Sequence, residues 1–272
     1  MSQSTSTRAS PNSFSFFQEL GGVILFQLKV IRTLLTTREN LKPIAAQIVY
    51  VFTRSLSTVA FAGIFAGAII VLQFNLMLKR FDAQVLLGGL NTSALLREIG
   101  PLIISFLLAG KIGAFTAAEL GTMRVTEQID ALECLGADPI QYLIVPRFTA
   151  IIFSSVLLLI FGLMISLGGS MAVARLACGL NPEQFASTIP RFNDAWTLAS
   201  GFFKCAVYGT IVASVACYKG FTASGGARGV GRAVTLTAVY INFYIVIANF
   251  ITSHIIEDLR ELTEVITGGF GG

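Results

Sequence analysis

Three groups of side chains in this 272-residue chain have types and spacings that can do chemistry. Arg97 and Glu98, with Lys111, stand inside an otherwise apolar run. Ionisable groups at such depth mark ion paths, gates or headgroup sites unless they pair locally or snorkel to an interface. Lys204 stands in a second apolar run, where it can line a cavity or snorkel outward; snorkelling is the favoured reading. Between two apolar runs lies GTMRVTEQIDALECLGADPIQYLIVPR, residues 121–147, with the carboxylates Glu127, Asp130, Glu133 and Asp138 and, just upstream, Glu119.

Other chemistries find no support. One histidine, His254, excludes a His-cluster metal site and argues against His-based catalysis. Cys134, Cys178, Cys205 and Cys217 form no CxxC and read as small packing residues. There is no G-x-x-x-x-G-K-[ST]: Gly110-Lys111 lacks the upstream Gly and the following Ser/Thr. The chain is therefore not expected to hydrolyse ATP through a P-loop. Residues 225–232 are Gly- and Arg-rich, but no strand precedes them; they read as a tight turn near headgroups or a partner protein. No Asp/Glu/His cluster converges as a lipid-metabolising membrane enzyme would require, and nucleic acid is not an expected partner.

The elements that position these groups follow from composition. Hydrophobic residues make up 54% of the chain and charged residues 12%, where soluble domains carry about 25%. Several apolar runs approach the ~20 residues that span a bilayer. The expected fold is an all-α integral membrane protein with about five spans, near residues 55–78, 92–118, 148–174, 199–218 and 233–253. Residues 1–13, rich in Ser and Thr, read as a disordered tail, with neither the apolar core of a signal peptide nor the usual length of a plastid transit peptide. Residues 14–37 read as an amphipathic helix too interrupted to span, lying on the membrane surface or packed on the bundle. Residues 254–272 form an acidic extension that prolongs the fifth span as a helix.

Ala62, Gly63, Ala66 and Gly67 make two overlapping small-xxx-small pairs, a face for close helix approach. Asn242 and Asn249 share a face of the fifth span and are expected to hydrogen-bond between helices. Residues 99–110, between Glu98 and Lys111, rise only about 18 Å as helix. The hydrocarbon core is about 30 Å thick, so at least one of the two must face protein, face a cavity, or snorkel. Gly100-Pro101 loosens the helix beside Glu98.

Lys/Arg distribution orients the spans. An N-terminus on the cytoplasmic side puts Lys29, Arg32, Arg38, Lys42, Arg54, Lys111, Arg124, Arg147, Lys219, Arg228 and Arg232 there, with Arg8 in the tail. The opposite side keeps Lys79, Arg80, Arg97, Arg175, Arg191, Lys204 and Arg260. The stretch 121–147 then faces the cytoplasm.

Within that stretch Val125, Ile129, Leu132 and Gly136 form one helical stripe, with Glu127, Asp130 and Glu133 opposite. Gly136 is placed as a left-handed C-cap, Asp138-Pro139 as an N-cap with Pro at N1, and Pro146 as a further break. Residues alone leave two readings open: a helix resting on headgroups, or a docking helix offering an acidic face to a cytoplasmic protein. The scarcity of lysines favours docking.

The sequences AELGTMRVTEQIDAL (118–132), GADP (136–139) and VPR (145–147) resemble the signature of the MlaE/YrbE permease family. REIGP (97–101), LAGKIG (108–113) and GARGVGRA (226–233) resemble further blocks of it in the same order, across residues 15–253. Lys111 stands where the family commonly has Arg, which keeps the charge and loses the planar fork. The resemblance implies a permease domain over residues 14–253. It implies the permease subunit of an ABC transporter moving lipids, most simply phospholipids, between the inner membrane and a periplasmic MCE-domain protein. It also implies a homodimer with two cytoplasmic ATPase subunits. ATP and Mg²⁺ would then sit on the ATPase, with no cofactor in this chain. The segment between spans two and three would be the coupling helix seated on the ATPase, using Arg124, Glu127, Gln128, Asp130, Leu132, Gly136 and Asp138. The resemblance implies a lipid cavity at the dimer interface but does not fix its lining. By their intramembrane charge Arg97, Glu98, Lys111 and Lys204 are the candidates for it. The alternative is that Arg97 and Glu98 pair locally near the outer surface and Lys111 snorkels to the inner one. The implied location is a bacterial inner membrane, N-terminus cytoplasmic and C-terminus periplasmic, with a plastid inner envelope as alternative. An ATP-independent secondary transporter or channel is the competing function.

Overall fold

The computed structural model describes residues 13–36 and 41–268. The expected tail, apart from Ser13, lies outside the described residues. Eleven α-helices follow in order: α1 (Ser13–Thr36), α2 (Leu41–Leu78), α3 (Leu87–Ala94), α4 (Gly100–Leu108), α5 (Ala114–Val125), α6 (Gln128–Cys134), α7 (Val145–Cys178), α8 (Pro182–Ser187), α9 (Ile189–Phe192), α10 (Ala195–Phe221) and α11 (Gly226–Gly268). There is no strand among the described residues. Among the described residues, five continuous helical stretches are long and apolar enough to cross a membrane: Leu41–Phe81, Gln84–Val125, Ile140–Cys178, Ala195–Phe221 and Gly226–Thr263.

Each stretch runs past the apolar core that marks it in the sequence. Arg54 does not end the first one. It lies exposed in the middle of α2, its guanidinium 5.3 Å from the Tyr50 ring centroid. At 43 residues, α11 is about 64 Å long, roughly twice the hydrocarbon thickness.

Three π-helical turns interrupt the α-helical ladder of these stretches, at Leu95–Ile99, Ala109–Gly113 and Ile140–Ile144. Two share one arrangement: five π residues, one residue more, then a proline, Pro101 or Pro146. A proline ring clashes with the carbonyl one α-turn back, and it supplies no N–H. The wider π turn accommodates both defects. Pro146 therefore does not break the chain as its residue type predicts; it sits in the first turn of α7 and the helix passes through it.

A close helix contact, that between α2 and α7, is made by small residues. Gly63 and Gly67 are buried against α7, and the Ser166 hydroxyl donates to the Gly63 carbonyl at 2.8 Å. A Cβ on Gly67 would lie 2.2 Å from the Ser166 carbonyl oxygen, so only glycine permits this approach. Helices α3, α8 and α9 close one end of the bundle over Phe185, and α6 lies at the other end. Helix α1 packs a narrow face on α10: Val23 and Val30 are buried, Phe26 meets Tyr218 and Phe221 at 5.8 and 5.9 Å, and Glu19 pairs with Lys219 at 2.7 Å. Its other side exposes Ile24, Leu25, Leu28 and Leu35.

Candidate functional site

Two constellations organise the candidate residues, one at each end of the bundle.

The first is the polar segment between α5 and α7. The single helical stripe predicted from Val125 to Gly136 is broken. Helix α5 stops at Val125, and Glu127 takes a left-handed backbone, φ 61°. This conformation turns the chain, so α6 leaves α5 at a corner held by the Glu127 N–H to Arg124 carbonyl bond of 3.2 Å. Ile129 is fully buried and Leu132 half-buried on the main core, which anchors α6 along one side. The far end closes as the glycine type predicts. Gly136 is left-handed (φ 79°), its N–H donates to Glu133 O at 2.9 Å, and Ala137 N–H donates to Leu132 O at 3.1 Å. That pair of bonds is a Schellman cap. The Asp138 carboxylate then accepts from the Ile140 N–H at 2.9 Å and starts the next helical stretch.

The acidic face is smaller than predicted. Asp130 is half-buried and forms an ion pair with Arg124, whose guanidinium lies 5.9 Å from the Phe221 ring centroid. These contacts tie α6 to α5 and to the end of α10. What remains presented outward is Glu127, Gln128, Glu133, Cys134 and Leu135, the last 83% exposed. Beneath them Arg147 reaches Glu119 at 3.0 Å and the Leu143 carbonyl at 2.9 Å, bracing α7 on α5. The result is a short helix, rigidly braced, with a mixed acidic and apolar tip.

The second constellation assembles around Lys204, about two and a half turns into α10. Its side chain is 3% exposed and does not snorkel. The ammonium donates to the Glu98 carboxylate, to the Arg97 carbonyl at 3.0 Å and to Ser253 Oγ at 2.8 Å, which uses all three donors. The Ser253 hydroxyl donates back to Glu98 at 3.1 and 3.2 Å. Burial of a charge is tolerable only with such complete pairing. Arg97 and Glu98 do not pair with each other: Arg97 bonds Glu257 of α11, while Glu98 takes Lys204. Glu98 remains 41% exposed, so one flank of its carboxylate is open. Further along, Tyr208 OH donates to Asn249 Oδ1 at 2.7 Å and lies 3.2 Å from Thr252 Oγ1. Asn249 thus bonds between helices as its type suggests.

Lys111 stays outside this cluster. It lies in the second π turn, exposed, and donates to Thr58 of α2 at 2.9 Å. Residue types alone miss two partners of the site, Ser253 and Glu257. The signal that points to them is their one-turn spacing with Asn249 and Arg260 along a single face of α11. No group of three or more His, Cys, Asp or Glu able to hold a metal occurs among the described residues.

The chain is similar to known proteins over most of its length. The permease MlaE family matches residues 44–255. A probable ABC transporter permease protein of Rickettsia conorii is 33% identical over 240 residues, 88% of this chain and 93% of its own. A probable ABC transporter permease protein of Synechocystis is 33% identical over 249 residues, 91% of this chain and 95% of its own. The chloroplastic protein TRIGALACTOSYLDIACYLGLYCEROL 1 of Arabidopsis thaliana is 34% identical over 200 residues, 74% of this chain and 57% of its own.

Proposed function

Since the chain belongs to the MlaE permease family, as the multi-pass membrane subunit of an ABC transporter, we propose that it moves glycerolipids, driven by ATPase subunits docked on α6. The observation that carries the docking is the braced helix α6. Its inward side is pinned by Ile129 and by the Arg124–Asp130 pair, and its tip offers Leu135 and Glu133 to a partner. A helix fixed at both ends transmits a push from a partner into α5 and α7, where a floppy loop would absorb it.

Two copies would act together with two ATPases. The exposed apolar residues Phe243, Ile247 and Phe250 of α11 offer a surface for that pairing. The side bearing α6 would be cytoplasmic and the α8–α9 end would face a periplasmic or intermembrane MCE-domain partner, in a bacterial inner membrane or a plastid inner envelope. The Glu98 carboxylate, half-open beside buried Lys204, would meet the headgroup during passage, with Arg97 beside it. A relative whose name is that of a glycerolipid, trigalactosyldiacylglycerol, supports this cargo class. The chain itself would do no covalent chemistry, and ATP and Mg²⁺ would bind the ATPase.

The test is affinity purification from native membrane in mild detergent, with mass spectrometry of co-purifying proteins and lipids. The reading expects an ABC ATPase, an MCE-domain protein and glycerolipid. Purification of a transport-competent chain with no ATPase would return it to the class of secondary transporters.

A further inference from the structure

Arg147 stands in the first turn of α7, at the joint between the α6 corner and the third membrane stretch, and its side chain is 12% exposed. It touches both sides of that joint. Nη1 donates to the Leu143 carbonyl at 2.9 Å, inside the π turn Ile140–Ile144, and Nη2 lies 3.0 Å from Glu119 Oε1 of α5. The backbone there is short of donors: the Val145 N–H reaches back to the Ile140 carbonyl, and Pro146 has no N–H. The third nitrogen of the guanidinium, Nε, is buried with no acceptor among the described residues. Nε–H and one Nη2–H lie side by side along one edge of a guanidinium, the fork that takes both oxygens of a carboxylate. Glu119 lies against only the Nη2 half of that edge. Its side chain is half-exposed, and Gln47 and Tyr50 of α2 and Thr116 of α5 line the gap around the pair, so the carboxylate has room to turn.

We propose that Arg147 is a positioning residue with two settings, through which a push on α6 changes the fit of α5 against α7. In the present setting it ties the π turn to α5 through one oxygen of Glu119. In the other, α5 and α7 close by a small shift and Glu119 takes Nε–H and Nη2–H together. Three features place the shift here. The π turn is wider than an α turn, so it holds slack that a regular helix lacks, and Pro146 keeps the joint from zipping into α-helix. A buried donor without an acceptor is unfavourable, so a setting that pairs Nε is favoured once the two helices are brought together. Glu119 precedes the corner at Glu127 on α5, and Arg147 follows α6 on α7, so displacement of α6 bears on both partners at once. The inference rests on the docking of an ATPase at α6 and names the pair that responds to it.

Hydrogen–deuterium exchange of residues 140–148, read by mass spectrometry on the full chain in detergent, tests this. In the complex with the ATPase, trapping with ATP, Mg²⁺ and vanadate should slow that exchange several-fold. Arg147→Lys keeps the charge and loses the fork, and Glu119→Gln keeps one acceptor oxygen and loses the other. Each should abolish the slowing while the ATPase stays stoichiometric and hydrolyses ATP at close to the wild-type rate. The double variant should be no worse than either single one, because both remove the same interaction. Slowing that survives in Arg147→Lys overturns the proposal, and so does a wild-type complex with no nucleotide effect in this segment. Loss of the slowing together with loss of the ATPase or of thermal stability reduces Arg147 to a structural tie and overturns it too. The chain without ATPase supplies a second arm: Arg147→Lys should speed exchange of residues 140–148 several-fold, and unchanged exchange overturns the proposal. A wild-type chain that purifies without ATPase fails the docking reading, whereas unchanged exchange in this second arm fails the present one with docking intact.

Discussion

Lys204 and Glu98, 106 residues apart in sequence, meet as an ion pair whose lysine is almost wholly enclosed and whose carboxylate is half-open. The asymmetry matters. The lysine is a fixed counter-charge that holds the carboxylate in place, and the carboxylate is the member that can exchange partners.

Removing one member should therefore cost more than removing both. Glu98→Gln leaves a buried ammonium without its counter-charge and should destabilise by about 3–5 kcal/mol. The Glu98→Gln/Lys204→Met double variant should recover most of that loss in thermal unfolding in detergent. If the Glu98 headgroup role holds, the double variant should still fail in a reconstituted lipid-transfer assay. Normal transfer by a stable double variant would reduce the pair to a structural tie.

The corner at Glu127 makes a prediction of opposite sign. A non-glycine residue at φ 61° carries a conformational cost of about 1–2 kcal/mol. Glu127→Gly should preserve or raise the melting temperature, and Glu127→Val should lower it. A stabilising valine would contradict the left-handed corner.

The α2–α7 contact is set by Gly67. Gly67→Ala forces a Cβ to within 2.2 Å of the Ser166 carbonyl and should cost about 1–3 kcal/mol in thermal unfolding. Gly168→Ala, where an added Cβ meets nothing within 4 Å, is the control and should be neutral or slightly stabilising.

Exchanging the brace should rescue it. Arg124→Asp or Asp130→Arg alone should loosen α6, seen as faster proteolysis of the α5–α7 segment. The double exchange should restore part of the protection, though not the contact of Arg124 with Phe221. No rescue at all would mean that the ion pair contributes nothing beyond that ring contact.

Elements set by local chemistry were legible in the sequence. Five spans followed from hydropathy, and the glycine, aspartate and proline at 136–139 announced their caps by residue type. Gly63 and Gly67 announced a close helix contact, though not its partner. What escaped depends on tertiary partners or on backbone states with no strong residue signal. Nothing in a glutamate predicts a left-handed φ, so the break at Glu127 was invisible, and Asp130 read as a free acid because Arg124 reaches it only across that break. Pro146 read as a helix breaker because proline type does not reveal a preceding π turn. Lys204 read as a snorkelling residue because its partners lie 106 and 49 residues away.

The central claim, that energy enters through α6, is tested most directly at its exposed tip. The permease is co-expressed with its ABC ATPase, and Leu135→Asp and Glu133→Lys variants are purified through the permease. Both side chains are exposed, so folding should be unaffected and the melting temperature unchanged. The account predicts that the ATPase-to-permease ratio falls several-fold in the Leu135→Asp/Glu133→Lys double variant. Retention of a stoichiometric ATPase at full activity would contradict it.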